Sequence, residues 1–102
     1  MRLRRRPFEE VVASQLALFA TESEGLLRDC DAALRAYHRA GPEEAEERYG
    51  DYLDLVDTGR EALEKMRDAY AETLDETAAE EYRWAFNGFA RKRFPRFSLE
   101  LD

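Results

Sequence analysis

From Pro7 onward the apolar residues recur three or four positions apart, as Phe8, Val12, Leu16, Phe19, Leu26, Cys30, Leu34 and Tyr37, with one missing member at Ser23. That spacing lines one face of an α-helix and predicts a first helix over about residues 7–39. Pro7 suits a first helical position, Glu9 and Glu10 complement the positive N-terminal end of the helix dipole, and Arg35 and Arg39 complement its other end. Gly41-Pro42 then stops this helix, and Glu43, Glu44, Glu46 and Glu47 load the start of the next. A second run, Ala45, Tyr49, Leu53, Val56, Leu63, Met66, Tyr70 and Leu74, has its own gap at Gly59 and predicts a second helix over about residues 43–75.

Folded back antiparallel about Gly41-Pro42, facing residues would have numbers summing to roughly 83, because both helices rise by about 1.5 Å per residue. Leu34 then meets Tyr49, Cys30 meets Leu53, Phe19 meets Leu63 and Phe8 meets Leu74. The two gaps coincide, since Ser23 and Gly25 come opposite Thr58, Gly59 and Arg60. Close backbone approach or a polar layer that fixes register is expected there, with a ligand-holding gap as the alternative.

After Leu74 no proline occurs until Pro95, and Leu74, Ala78, Tyr82, Ala85 or Phe86, and Phe89 keep the earlier phase. The second helix is therefore expected to continue to about residue 94, or to be followed by a third helical segment opened by the capping-box pair Thr77 and Glu80. Phe97 to Asp102 alternates apolar and polar positions, so residues 95–102 are expected to form an irregular or extended tail. No repeat or linker divides the chain, which reads as one helical domain over 1–102 with a basic arm at 1–6.

Beside the main seam runs a second apolar stripe, made by Val11, Leu18 and Ala32 on the first helix and by Tyr52, Leu55, Ala62 and Ala69 on the second. One hairpin cannot bury both stripes. A homodimer or larger homo-oligomer forming a four-helix bundle is the expected solution, an all-α fold built around a long antiparallel hairpin.

Composition agrees with this shape. A chain of 102 residues with 44% apolar and 38% charged content suits one domain of long, exposed helices. No apolar run reaches the roughly 20 residues that cross a bilayer, and Pro7-Phe8-Glu9-Glu10 replaces the apolar core of a signal peptide, so a cytoplasmic location is expected. Cys30, the single cysteine, cannot form an internal disulfide and is expected to be buried among Leu26, Leu27, Ala33 and Leu34. His38, the single histidine, lies beside the predicted turn with Arg35 rather than a glutamate three residues before it. The Glu-x-x-His pairs of di-iron bundles are therefore missing. With no visible nucleophile and base pair and no glycine-rich phosphate loop, no catalytic residue, metal site or cofactor is expected.

The leading reading is a non-catalytic interaction or scaffold protein. Its candidate contact residues are Leu18, Tyr52 and Leu55 on the second stripe, and Trp84 and Phe86 further along. The acidic stripe Glu47, Asp51, Asp54, Asp57 and Glu61 reads as a solvated face whose members repel one another mildly. A second reading starts from charge. The net charge is −7, yet Arg2 to Arg6 and Arg91 to Arg96 form basic clusters at the two ends. The first cluster would lie beside Glu80 and Glu81, which neutralise it. In the second, Arg91, Lys92, Arg93 and Arg96 interleave with Phe94 and Phe97, a composition suited to nucleic acid or an anionic membrane.

A third reading comes from carboxylate spacing. Glu44-x-x-Glu47 and Glu72-x-x-Asp75 resemble the motif pair of the all-α nucleoside triphosphate pyrophosphohydrolases, whose carboxylates hold Mg²⁺ against a nucleotide. The resemblance covers four residues and would imply an Mg²⁺-dependent nucleotide hydrolase. That family sets its motifs on two facing helices, whereas both fall on one predicted helix here.

Overall fold

The computed structural model describes residues 7–98 and Leu101. The basic arm Arg2 to Arg6 lies outside the described residues, as do Leu99, Glu100 and Asp102. Every regular element among the described residues is helical: α1 (Glu9–Glu22), α2 (Glu24–Arg39), α3 (Ala45–Ala71), α4 (Glu76–Arg93) and the single turn α5 (Pro95–Ser98). They pack into an elongated body of 57 × 31 × 21 Å.

The predicted first helix is α1 and α2 together, interrupted at Ser23, where φ is −110° and ψ is 20°. The hydrogen bonds from Ser23 N–H to Phe19 O and from Leu27 N–H to Ser23 O, both 2.9 Å, carry the ladder across the break. A serine followed closely by Gly25 is a recognised cause of a helix kink. Its consequence is topological, because α2 stays alongside α3 whereas α1 takes α4 as its main partner.

The Gly41-Pro42 turn stands where expected, with Glu44 N–H and Ala45 N–H both bonded to Gly41 O at 3.0 Å. α2 and α3 pack as the expected hairpin, though Tyr49 stacks on Tyr37, with ring centroids 5.0 Å apart, nearly one turn from the expected partner Leu34. Asp31 and Tyr52, which the register places opposite each other, both bond Arg96.

Continuation of the second helix past Asp75 is corrected. α3 stops at Ala71, and Thr73 bonds the Tyr70 carbonyl with its N–H at 2.9 Å and its hydroxyl at 2.7 Å, satisfying a group the helix end leaves open. Asp75 then caps α4, its Oδ1 accepting from Ala78 N–H at 2.9 Å. The cap is Asp75 rather than Thr77. The gain from turning back is burial: Tyr82 and Phe86 lose all exposure, each worth about 1.5 to 3 kcal/mol relative to an exposed position. An unbroken helix would have held both rings beyond the hairpin.

α4 runs back beside α3 and also covers α1, so the expected layers of the first and second helices are opened by a third. Tyr82 sits between them, its ring 5.5 Å from Phe8 and 4.7 Å from Tyr70. Phe8 adopts a left-handed conformation at φ 64° just before α1, a costly choice for a bulky residue. Its edge-on packing against Tyr82 holds it there.

The irregular or extended tail expected over residues 95–102 is corrected over residues 95–98, where the chain is helical; residues 99, 100 and 102 lie outside the described residues. Phe94 precedes proline and leaves helical geometry at ψ 64°, and Pro95 opens the single turn of α5. Ser98 Oγ bonds Phe94 O at 2.6 Å and Ala90 O at 3.0 Å, and Arg91 Nη2 donates to Leu101 O at 2.9 Å. These bonds fold the tail back and drive Phe97 and Leu101 into the core. The ring of Phe97 lies over Gly59, so the expected polar layer is instead a notch filled by an aromatic side chain.

Candidate functional site

α4 has two faces. Ala79, Tyr82, Phe86 and Ala90 are buried against α1 and α3, and the opposite face carries Glu80, Glu81, Trp84, Gly88 and Lys92. Trp84 is 81% exposed, the most exposed of the large apolar side chains among the described residues. It borders an open groove of about 750 Å³ whose apolar lining is Pro7, Trp84, Ala85, Gly88 and Phe89. Glu80 and Glu81 stand at one end of the groove and Lys92 at the other. A second hollow of about 290 Å³ reaches toward α1 through Glu9, Ala13 and Leu16 and shares Phe89 and Lys92 with the first. Around Gly88 the helix surface is bare: beyond its chain neighbours and its own helix backbone, a methyl group there would meet no atom within 4 Å.

The remaining sequence-predicted contact residues divide sharply. Leu18 is 51% exposed on α1. Tyr52 and Leu55 are half-buried and pack on the core with Val11, whereas Leu18, Ala32, Ala62 and Ala69 stay exposed, so the chain itself covers the second stripe only in part. Phe86 is wholly buried, which corrects its place among surface candidates. Phe97 is buried as well, and Phe94 packs on Phe19 with ring centroids 5.1 Å apart.

Arg96 does not face solvent freely either. Its Nη1 donates to Asp31 Oδ1 at 3.0 Å, its Nε donates to Tyr52 Oη at 3.0 Å, and its guanidinium lies 5.5 Å from the Tyr52 ring centre. Burial opposes its charge, but the bonds to Asp31 and Tyr52 outweigh that effect and hold its pKa above the ordinary value. Arg91 secures the tail through Leu101, and Arg93 lies over the Phe94 ring at 5.4 Å. The aromatic residues expected to interleave with this cluster are therefore turned inward.

The two carboxylate motifs sit at opposite ends of α3, with Glu44 and Glu47 beside its start and Glu72 and Asp75 beyond its end. At about 1.5 Å per residue, Glu47 and Glu72 are about 38 Å apart along the axis. Within one chain, four carboxylates so placed cannot share a nucleotide. Among the described residues no group of three or more His, Cys, Asp or Glu side chains converges as a metal site. No described helix is long and apolar enough to cross a membrane. Cys30 is fully buried on α2, and burial raises its pKa, which keeps the thiol protonated and unreactive.

Two polar contacts that the sequence pattern did not predict tie α4 to its neighbours. Arg67, on α3, reaches Asn87 on α4, Nη1 to Oδ1 at 3.1 Å, and also Asp68, Nε to Oδ1 at 2.8 Å. Tyr82 Oη donates to Gln15 Oε1 at 2.6 Å, tying α4 to α1. Burial pushes the Tyr82 phenol from 10.0 up to about 12. The folded protein then keeps a proton that the unfolded chain releases, so stability is undiminished below pH 10 and falls as pH rises toward 12. The expected loss is about 1.4 kcal/mol per pH unit in that window. Urea titrations near pH 9 and pH 11 on wild type and Tyr82→Phe measure it, and equal slopes in the two proteins would refute it.

No protein-family model, curated protein or solved structure matches this chain, so its own geometry carries the functional reading.

Proposed function

We propose that this is a non-catalytic helical interaction protein that works as a homodimer joined through the outer face of α4. The observation that carries the reading is Trp84, exposed beside an apolar groove whose two ends bear opposite charge. Scattered exposed apolar side chains are ordinary on any surface, but a contiguous groove around a tryptophan is the composition of an interface hot spot. The second stripe supports dimerisation less than α4 does, because Tyr52 and Leu55 already contribute to the chain's own core. The polyanion reading also draws less support, since Arg96, Phe94 and Phe97 are held in internal contacts.

Sedimentation equilibrium tests the proposal. The wild type is expected to run at twice the 11.9 kDa chain mass, and Trp84→Glu is expected to run as a monomer with an unchanged far-UV spectrum. A wild type that stays monomeric across micromolar concentrations would overturn it.

A further inference from the structure

The outer face of α4 is complementary to itself when a second copy is reversed. Glu80 and Lys92 lie equally far from position 86, as do Glu81 and Arg91, and as do Trp84 and Gly88. A two-fold axis opposite Phe86, which points inward, therefore matches all three pairs at once. We propose that the groove is occupied by α4 of a second copy laid antiparallel, with Trp84 of each chain seated on Gly88 of the other. This rests on the homodimer reading above and specifies its geometry.

Steric and electrostatic observations both support this register. A glycine inside an exposed helix costs about 1 kcal/mol against alanine, and here the space above Gly88 is empty, leaving room for an indole to reach the backbone. The reversed copy brings Glu80 and Glu81 near Lys92 and Arg91 of its mate, and every one of these side chains is exposed. The same reversal sets the positive N-terminal end of each α4 beside the negative C-terminal end of the other. A parallel pairing would instead place Glu80 against Glu80 and Lys92 against Lys92. Such local pairing matters because each chain carries a net charge of −7 and repels its copy at a distance.

The test is a charge exchange between two single variants, Glu80→Lys and Lys92→Glu. Each alone places like charges together twice in its homodimer and is expected to self-associate about tenfold more weakly than wild type. Mixed in equal amounts, they restore both opposite-charge pairs and are expected to associate with wild-type affinity, read by sedimentation with one variant fluorescently labelled. Gly88→Leu, which fills the seat for Trp84, is expected to abolish association with no loss of helicity. If wild type is a dimer that needs Trp84 but the mixture associates no better than the separate variants, the antiparallel register is overturned and the homodimer stands. If wild type is a monomer, both fall.

Discussion

Phe97→Ala is expected to lower the unfolding free energy by about 3 to 5 kcal/mol and to reverse the sign of a second substitution, Gly59→Ala. Phe97 is almost fully buried, and its ring occupies the space that a side chain at Gly59 would need: a Cβ there would lie 2.5 Å from two ring carbons. In the wild type Gly59→Ala therefore forces the ring or α3 to move, at a cost of about 1 to 3 kcal/mol. Once Phe97 is truncated the notch is vacant. Alanine then supplies only its better helix propensity, worth about 1 kcal/mol over glycine. Urea denaturation of the four proteins in this cycle measures the coupling directly. An unchanged sign for Gly59→Ala in the two backgrounds would show that the ring does not seat on Gly59.

Arg67→Ala is the second large effect expected, at about 3 kcal/mol. The guanidinium is buried beneath α4 with its charge answered by Asp68 and its Nη1 held by Asn87. Removing one member of a buried charged network costs about 3 to 5 kcal/mol, and the lower end applies because Asp68 is half-exposed and can be rehydrated. Arg67→Met keeps the packing of the aliphatic stem and is expected to recover part of the loss. The effect also has a pH signature. The bond from Arg67 holds the Asp68 carboxyl below its ordinary 3.8, so its contribution is full above that value and is lost as pH falls through the folded pKa. The gap between wild type and Arg67→Ala is therefore expected to narrow on acidification below about pH 4. A gap that is constant from neutral pH to acid would show that Asp68 gains nothing from Arg67.

Local features of the fold were legible in the sequence, whereas features that depend on distant residues were not. Gly41-Pro42 states a turn in two residues, and the apolar spacing of α2 and the first half of α3 names a hairpin seam that the structure keeps. The α3–α4 turn was obscured because Leu74, Ala78, Tyr82 and Phe89 preserve a helical phase straight through it. Asp75 followed by Glu76 was the available signal, an N-cap and an acidic first turn. The coincident gaps at Ser23 and Gly59 were visible, but what fills them comes from residue 97. No window of local pattern joins those positions.

The same limit applies to the site. Trp84 and Phe86 are adjacent in kind and nearly adjacent in position, and both read as contact residues. Only the direction in which α4 turns back decides that Phe86 faces Tyr82 and the core while Trp84 faces outward. Likewise the C-terminal cluster is basic by count, yet Arg96 answers Asp31 and Arg91 holds the Leu101 carbonyl. Charge in the sequence did not reveal which cations were already engaged.

The kink at Ser23 also governs the order in which this chain can finish folding as it leaves the ribosome. α2 and α3 are neighbours in sequence and can pair as soon as both have emerged. α1 is synthesised before either of them, yet its partners are Tyr82, Phe94 and Phe97, and the Gln15 bond to Tyr82 spans 67 positions. Closing so long a loop is slow compared with hairpin formation. The apolar face of Val12, Leu16 and Phe19 thus emerges before the residues that cover it, so the nascent protein must carry it open to solvent or chaperone until α4 and α5 arrive.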